Sequence, residues 1–227
     1  MTDSPLVVFD LDGTLVDTAP DLIAALNFVL DREGLPALPM ASARPMIGAG
    51  ARKLIERGFE AEDRPLTIAD LDRLTGDFIA YYADHIADLS QPFDGLNDAL
   101  DDLAGRGFRF AVCTNKLEWL SRRLLDRLEL SDRFAAICGA DTFGVSKPDP
   151  AILRQTVARA GGSVARAVMV GDAGPDVGVA RRAGVPVIGV TFGYTDVPIA
   201  DLKPDRVISD LRELPVTVEG LALQRPK

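Results

Sequence analysis

Residues 6–14 of the chain are LVVFDLDGT, and they begin with its first apolar run. The four apolar residues predict a short buried strand, and two aspartates, Asp10 and Asp12, follow it directly. Gly13 then allows the backbone to turn away from the strand. Two like charges at the end of a buried strand repel each other, so they need partners that this segment does not contain. The stretch therefore predicts a site at the carboxyl end of the first strand, completed by residues from elsewhere in the chain.

Composition and charge narrow the class of protein. The chain has 227 residues, of which 47% are hydrophobic and 26% charged, as in an average globular protein. Its formal net charge of −9 argues against binding to nucleic acid or to an anionic membrane surface. We find no signal-peptide pattern, no apolar run of about 18 residues and no cysteine framework. We therefore expect a cytoplasmic protein, monomeric or homodimeric, without nucleic-acid or membrane partners.

Short apolar runs alternate with helical patterns along most of the chain. These runs are too apolar to be half exposed, so they are typical of parallel strands that are covered on both faces. The predicted strands are 6–9, 108–114, 135–138, 167–170, 185–190 and 206–208. The predicted helices between them are 96–104, 117–128, 151–160 and 176–183. The alternation predicts an α/β fold with a doubly wound, mainly parallel sheet.

The alternation is interrupted between residues 15 and 89, where helical patterns occur and no strand is found. Segment 21–32 and a long helix beginning after Thr67 both carry apolar residues at helical spacing. The sequence therefore predicts an α/β core formed by residues 1–14 and 90–227. It also predicts an all-helical cap, residues 15–89, inserted after the first strand.

Polar residues follow two other predicted strands. Thr114 and Asn115 come after one strand, and Asp172 comes after another, with Asp176 four residues further on. Lys147 lies just before a predicted helix. Because ligands bind beyond the carboxyl ends of parallel strands, we expect these side chains to meet the two aspartates of the first strand.

Such a group of carboxylates predicts a cation. Two carboxylates about 4 Å apart repel by roughly 4 kcal/mol at an effective dielectric constant of 20. Oxygen ligands without neighbouring His or Cys favour a hard ion, and Mg²⁺ is the usual one. Each aspartate alone would most often be a turn or cap residue, so the prediction depends on their combination. One ionised aspartate could act as a nucleophile and its neighbour could carry a proton.

These residues resemble the motifs of a known family. DLDGT at residues 10–14, Thr114, Lys147 and the GDxxxD pattern of residues 171–176 resemble the four motifs of the haloacid dehalogenase-like (HAD) superfamily, in the same order. The insert after the first motif resembles the helical cap of that superfamily. Within it, four segments are similar to the phosphoglycolate phosphatase group: 10–20, 44–48, 113–116 and 190–194.

The resemblance implies a phosphatase acting on a small phosphorylated metabolite, 2-phosphoglycolate in the first place. Asp10 would attack phosphorus and form an aspartyl-phosphate. Asp12 would protonate the leaving oxygen and then deprotonate the hydrolytic water. Thr114, Lys147 and the backbone amide of Asn115 would hold the phosphate oxygens.

The same resemblance implies the ligands of Mg²⁺. They would be the carboxylates of Asp10 and Asp172 and the backbone carbonyl of Asp12. Asp176 would support these ligands without being one of them. The group usually has Ser after the metal-binding aspartate, whereas this chain has Ala173. That replacement removes a hydroxyl group near the metal loop.

Other functions remain open on the sequence. A phosphomutase would use the same aspartates, as would a sugar-phosphate phosphatase of this superfamily. A third possibility is a binding module that has lost catalysis, and Ala173 is the only feature of the motifs that suggests it. A dehalogenase is disfavoured, because a departing halide does not need the proton that Asp12 would supply.

The predicted cap also contains candidate substrate-binding residues. Residues 48–53, GAGARK, lack the spacing of a nucleotide-binding loop and do not follow a strand, so they predict a cap loop near the substrate. Arg44, Arg52 and Lys53 are then candidate contacts for a leaving group that carries a carboxylate, with solvated surface cations as the alternative. His85, the only histidine, is expected to be a helix residue without a catalytic role.

Overall fold

The computed structural model describes residues 4–195 and 197–222. In chain order, its strands are β1 Leu6–Phe9, β2 Val16–Asp17, β3 Gln91–Pro92, β4 Arg109–Cys113, β5 Ala136–Cys138, β6 Ala167–Gly171, β7 Val187–Val190 and β8 Arg206–Ile208. Six of them form a parallel sheet in the order β5-β4-β1-β6-β7-β8, and β2 pairs with β3 in a separate antiparallel pair. Strand β1 is therefore central, and the chain adds strands first on one side of it and then on the other.

Helices cover both faces of the sheet, and the first four helices of the chain lie between β2 and β3. They are α1 Ala19–Arg32, α2 Met40–Ala43, α3 Ala51–Glu60, α4 Ile68–Asp84, α5 Leu96–Gly105, α6 Glu118–Arg127, α7 Pro150–Arg159, α8 Gly174–Ala183 and α9 Leu214–Ala222. No helix of the described residues is both long and apolar enough to cross a membrane.

The apolar strands bury side chains on both faces of the sheet. In β1, Val7 and Phe9 belong to one buried cluster, and Leu6 and Val8 belong to another. Successive side chains of a strand point to opposite faces, so an uninterrupted apolar run is what a doubly covered strand requires. This arrangement confirms the predicted α/β class with its doubly wound, mainly parallel sheet.

All six predicted sheet strands are present, although three begin later than predicted. Strand β4 begins at Arg109, because the amide of Phe108 donates to the end of α5. Strand β7 begins at Val187, because the amide of Val185 donates to the end of α8 and Pro186 has no N–H group. Strand β5 begins at Ala136.

Two expectations for the inserted segment are wrong. The structure has a strand between residues 15 and 89, since β2 lies there and pairs with β3. A two-residue strand is too short to show an alternating pattern. The segment 48–53 is a loop only as far as Gly50, because α3 begins at Ala51 and buries Ile55 and Phe59. Arg52 and Lys53 are therefore helical residues.

The helices of the inserted segment pack on one another and share an apolar cluster with the sheet. Helix α4 packs against α1 and α3. Their buried residues belong to the same apolar cluster as Val7 and Phe9 of β1. Thr67 and Asp70 form a capping box at the start of α4, where the sequence predicts a long helix to begin. The division into a core and a cap, with the cap spanning residues 15–89, stays a prediction. The β2–β3 pair lies at the two points where the chain passes from the predicted core to the predicted cap and back.

Candidate active site

Lys147 joins two buried carboxylates at the carboxyl edge of the sheet. Its Nζ atom lies 2.8 Å from Oδ1 of Asp10 and 2.7 Å from Oδ1 of Asp176. Asp10 follows β1, whereas Asp176 lies in the first turn of α8, which follows β6. All three side chains are at most 5% exposed. Because β1 and β6 are neighbours, the sheet itself brings Asp10 and Asp176 to the same ammonium group.

Asp172 completes this acidic group. Its Oδ1 atom accepts a hydrogen bond of 2.8 Å from the hydroxyl of Thr14, and its Oδ2 atom accepts one of 2.8 Å from the amide of Tyr194. Gly193 packs so closely that a Cβ atom there would lie 2.1 Å from the Cβ atom of Asp172. The loops after β1 and β7 therefore fix the orientation of this carboxylate.

Three carboxylates converge closely enough to hold a metal ion. One ligand oxygen from each of Asp10, Asp172 and Asp176 lies within 4.8 Å of the other two, and all three residues are buried. The set contains only oxygen donors, which fits Mg²⁺. The carboxylate of Asp12 is not part of this group, so its part in metal binding, expected through its backbone carbonyl, stays a prediction.

Burial and mutual repulsion oppose full ionisation of this group. Burial raises the pKa of Asp172 to about 8, and the charges of Asp176 and Asp10 add to the effect. Burial also raises the pKa of Asp10 to about 7, against the opposing charge of Lys147. Burial disfavours the charged form of Lys147, but Asp10 and Asp176 outweigh it and raise the pKa of the ammonium. One ammonium cannot neutralise three carboxylates, so the geometry and the charges both favour a bound divalent cation.

Asp12 has different partners from Asp10. Its carboxylate accepts hydrogen bonds of 2.9 and 3.1 Å from Nζ of Lys116 and one of 2.8 Å from the hydroxyl of Thr18. Lys116 follows β4, and its side chain is 5% exposed. Burial disfavours its charge, but Asp12 outweighs this effect and raises the pKa of Lys116. The two aspartates of the first motif therefore belong to two different ion pairs.

Thr114 and Asn115 lie where the sequence predicts them, at the end of β4. Thr114 is 1% exposed and its hydroxyl accepts a bond of 3.2 Å from the amide of Lys116. The side-chain oxygen of Asn115 accepts a bond of 2.8 Å from the amide of Lys147. Its side-chain nitrogen donates to the carbonyl of Gly48 at 3.4 Å. Asn115 thus connects the loop that carries Lys147 with the inserted segment.

A cavity of about 450 Å³ opens above these residues. Asp10, Asp12, Thr114, Asn115 and Lys147 all line it. The inserted segment contributes mainly apolar side chains on the opposite side, among them Leu22, Ile47, Leu54, Phe78, Ile79 and Tyr82. The arrangement is a polar floor beneath an apolar cover, which suits a small anionic ligand.

The three candidate cations of the inserted segment differ in position. Arg52 lines the cavity, and its guanidinium pairs with Asp72, an exposed residue that does not line it. Lys53 pairs with Glu56 at the surface and lies outside the cavity lining. Arg44 also lies outside it, with its guanidinium 4.9 Å from the ring centroid of Tyr194. The structure therefore supports only Arg52 as a neighbour of a bound substrate.

Ala173 occupies the N-cap position of α8 and provides no side-chain cap. Asp176 satisfies the exposed backbone groups instead, since its Oδ2 atom accepts bonds of 3.2 Å from the amide of Asp172 and 3.0 Å from the amide of Ala173. The loop keeps its hydrogen bonds without the hydroxyl that the sequence lacks at this position.

Comparison with known proteins places this site in a family. A family model described as haloacid dehalogenase-like hydrolase matches residues 7–190. The chain belongs to the haloacid dehalogenase-like hydrolases. It is 49% identical over 209 residues to a phosphoglycolate phosphatase of Caulobacter vibrioides, covering 92% of this chain and 88% of the relative. It is 46% identical over 211 residues to a phosphoglycolate phosphatase of Agrobacterium fabrum, covering 93% and 91%.

A crystal structure described as that of a predicted phosphoglycolate phosphatase from Haemophilus somnus has the same fold. Its TM-score is 0.87 at 30% identity, and the match covers 96% of this chain and 99% of the other. The resemblance of this hydrolase to the HAD superfamily, and within it to phosphoglycolate phosphatases, is confirmed by these relatives. The roles of the individual site residues stay predictions.

Sequence reasoning assigned no role to Lys116, although it belongs to a segment that carried the resemblance. A lysine directly after a buried strand and the Thr-Asn pair was the available signal, because such a position faces the carboxyl edge of the sheet. The buried ion pair between this hydrolase's Lys116 and Asp12 spans 104 positions, so only the folded chain shows it.

Proposed function

We propose that this hydrolase is a Mg²⁺-dependent phosphatase of small phosphomonoesters, with 2-phosphoglycolate as its first candidate substrate. The observation that carries the proposal is the buried group of Asp10, Asp172 and Asp176 around Lys147, at the floor of the cavity. Relatives at 46–49% identity that are named phosphoglycolate phosphatase support the choice of substrate. We also propose a cytoplasmic location.

Asp10 is the proposed nucleophile. It lines the cavity, and its Oδ1 atom already accepts bonds from Lys147 and from the amide of Leu11 at 2.7 Å. These contacts fix the carboxylate and leave Oδ2 to attack phosphorus. The attack forms a bond between this oxygen and phosphorus and breaks the ester bond, giving an aspartyl-phosphate and an alcohol. Water then cleaves the aspartyl-phosphate and releases phosphate.

Asp12 is the proposed acid and base, because it lines the same cavity two residues further on. It gives a proton to the departing ester oxygen and later takes one from the attacking water. Thr114, Lys147 and the amide of Asn115 hold the phosphate oxygens. Phosphoryl transfer depends mainly on such positioning and on neutralisation of charge.

The carboxylates of Asp10 and Asp172 and the backbone carbonyl of Asp12 would hold Mg²⁺. Asp176 would support these ligands, because its oxygens already accept hydrogen bonds from Lys147 and from the amides of Asp172 and Ala173. When bound, the ion neutralises charge on the phosphoryl oxygens and on the carboxylates. Without it, the carboxylates around Lys147 would repel a phosphate dianion.

The test is Asp10→Asn, assayed with Mg²⁺ on 2-phosphoglycolate and on p-nitrophenyl phosphate. We expect turnover of both esters to fall by roughly 10⁴-fold or more, because the amide cannot act as the nucleophile. Asp126→Asn, at an exposed position of α6, is the matched control and should keep full activity. Acid quenching with ³²P-labelled substrate should give labelled wild-type protein and unlabelled Asp10→Asn protein.

The alternatives predict other results. Retained turnover by Asp10→Asn would exclude Asp10 as the nucleophile. A phosphomutase would return the phosphoryl group to a sugar instead of releasing phosphate as the main product. Preference for sugar phosphates in a panel ranked by kcat/KM would replace the proposed substrate and keep the reaction. Mg²⁺ binding without turnover of any phosphomonoester would indicate a binding module.

A further inference from the structure

Lys116 has a fixed position in the loop after β4. Its amide donates to the hydroxyl of Thr114 at 3.2 Å, and its carbonyl accepts a bond of 3.1 Å from the amide of Ala140. Gly139 packs so closely that a Cβ atom there would lie 2.3 Å from this carbonyl oxygen. The backbone that carries the Lys116 side chain is therefore held from two sides.

The ammonium of Lys116 is committed to protein groups. Its Nζ atom lies 2.9 and 3.1 Å from the two carboxylate oxygens of Asp12. Tyr82 of α4 is its third neighbour: the ring centroid lies 4.5 Å from Nζ, and the hydroxyl is a hydrogen-bond partner of the ammonium. An ammonium has three N–H donors, so these contacts account for all of them. Lys116 therefore acts on a substrate through Asp12 and not by binding the substrate itself.

The contacts of Asp12 distinguish its two carboxylate oxygens. Oδ1 accepts bonds from Lys116 at 2.9 Å and from the hydroxyl of Thr18 at 2.8 Å. Among the described residues, Oδ2 accepts a bond from Lys116 alone. Each carboxylate oxygen has two acceptor positions, so Oδ2 keeps one. Because Asp12 lines the cavity and its side chain is 13% exposed, Oδ2 is the oxygen that can meet a ligand there.

We propose that Lys116, itself held by Tyr82, is a positioning residue that orients Asp12 so that Oδ2 exchanges protons with the substrate. The inference rests on the proposed phosphatase function and adds a residue that acts on its acid and base. In the first step, the proton on Oδ2 goes to the departing ester oxygen as the bond from that oxygen to phosphorus breaks. In the second step, water bonds to phosphorus, its proton goes to Oδ2, and the bond from phosphorus to Asp10 breaks.

Tyr82 extends this arrangement to the inserted segment. It is 1% exposed and belongs to α4, which packs against α1 and α3. Asp12 and Lys116, in contrast, follow two neighbouring strands of the sheet, β1 and β4. The orientation of Asp12 therefore depends on the position of α4 as well as on the sheet.

The leaving group separates the orientation of Asp12 from a general structural role. The alcohol of 2-phosphoglycolate departs only with a proton, whereas p-nitrophenolate is stable without one. Lys116→Met should therefore lower kcat/KM for 2-phosphoglycolate by about 100-fold or more. For p-nitrophenyl phosphate, kcat/KM should fall by about threefold or less, because this ratio reports only the steps up to formation of the aspartyl-phosphate.

The same variant should also release p-nitrophenol in a burst of about one equivalent per protein molecule, followed by slow turnover. The burst is expected because the aspartyl-phosphate still forms, while a misplaced Asp12 takes the proton from water slowly. A loss of folded protein alone would lower the amplitude of every phase and would not produce a burst.

Tyr82→Phe removes only the hydroxyl and keeps the ring. We expect kcat/KM for 2-phosphoglycolate to fall by about 5- to 10-fold, through kcat more than through KM, with little change for p-nitrophenyl phosphate. Lys53→Met is the matched control, since Lys53 pairs with Glu56 at the surface outside the cavity lining. Its rates on both esters should equal those of the wild type.

Equal losses on both esters without a burst in Lys116→Met would overturn the inference, because Lys116 would then support the fold and not the proton transfer. If Lys116→Met does not fold, Tyr82→Phe decides, and unchanged rates on both esters would refute the proposed chain of contacts. If wild-type enzyme hydrolyses only p-nitrophenyl phosphate of the two, the alkyl ester that it hydrolyses best replaces 2-phosphoglycolate in the comparison. If it hydrolyses no phosphomonoester, the proposed function itself fails.

Discussion

Lys147 is predicted to hold the acidic group together, and Lys147→Met tests this. Its ammonium lies 2.8 Å from Asp10 and 2.7 Å from Asp176, and all three side chains are buried. Methionine fills similar space but carries no charge. The variant would leave three buried carboxylates without a cation in metal-free protein. We therefore expect a large loss of stability when Mg²⁺ is absent.

The size of the loss follows from the distances. At an effective dielectric constant of 20, each contact is worth about 6 kcal/mol of Coulomb attraction before the cost of burying the charges. Removal of one partner from a buried ion pair typically costs about 3–5 kcal/mol. For a chain of this size, that corresponds to a fall in Tm of about 6–20 °C. The loss should be smaller at pH 5 than at pH 8, because protonation relieves the carboxylates.

The assay is urea unfolding in EDTA at pH 5 and pH 8. Lys53→Met is the control, because Lys53 and Glu56 are also 2.8 Å apart but lie at the surface, where water and salt screen the pair. No measurable loss is expected for it. If Lys147→Met is as stable as the control at pH 8, the buried carboxylates do not depend on Lys147, and the account of the site is wrong.

Two further changes probe Asp172. Its pKa is raised from 3.8 to about 8, so its contribution to stability is complete below pH 4 and is lost as the pH rises towards 8. In EDTA, Asp172→Asn should therefore gain stability relative to wild type between pH 5 and pH 8, and a pH-independent difference would contradict this. Gly193→Ala should displace the carboxylate and lower kcat/KM for 2-phosphoglycolate by about 100-fold. Gly220→Ala, where a Cβ atom meets nothing within 4 Å, should leave kcat/KM unchanged.

The sheet was predictable because its strands are apolar on both faces. Runs such as Leu6–Phe9 and Ala167–Gly171 are short, uninterrupted and followed by polar residues, which marks both the strand and its carboxyl end. The pair of Val16–Asp17 with Gln91–Pro92 was not predictable, because each strand has two residues and the pairing is long-range. The start of helix α3 was not predictable, because Gly48 and Gly50 directly before it favour a loop, although Ile55 and Phe59 show helical spacing.

The candidate site was predictable as a set of residues but not as a set of contacts. Motif order identified Asp10, Thr114 and Asp172 as neighbours, since their strands end at one edge of a parallel sheet. The position of Lys147, just before a helix, came from the order of the motifs alone. It did not show that Asp10 and Asp12, two residues apart, belong to different ion pairs.

The sequence by itself determined the alternation of strands and helices, the carboxylates at the strand ends and the resemblance to a family. These properties follow from local patterns, because strand, turn and motif are written in consecutive residues. Only the tertiary structure decided the strand order and the partner of each charge. It placed Lys116 between Asp12 and Tyr82, which come from the loop after β1 and from α4. The pairing of charged side chains depends on distances between segments that are remote in sequence. Those distances are set only when the sheet and the helices pack together.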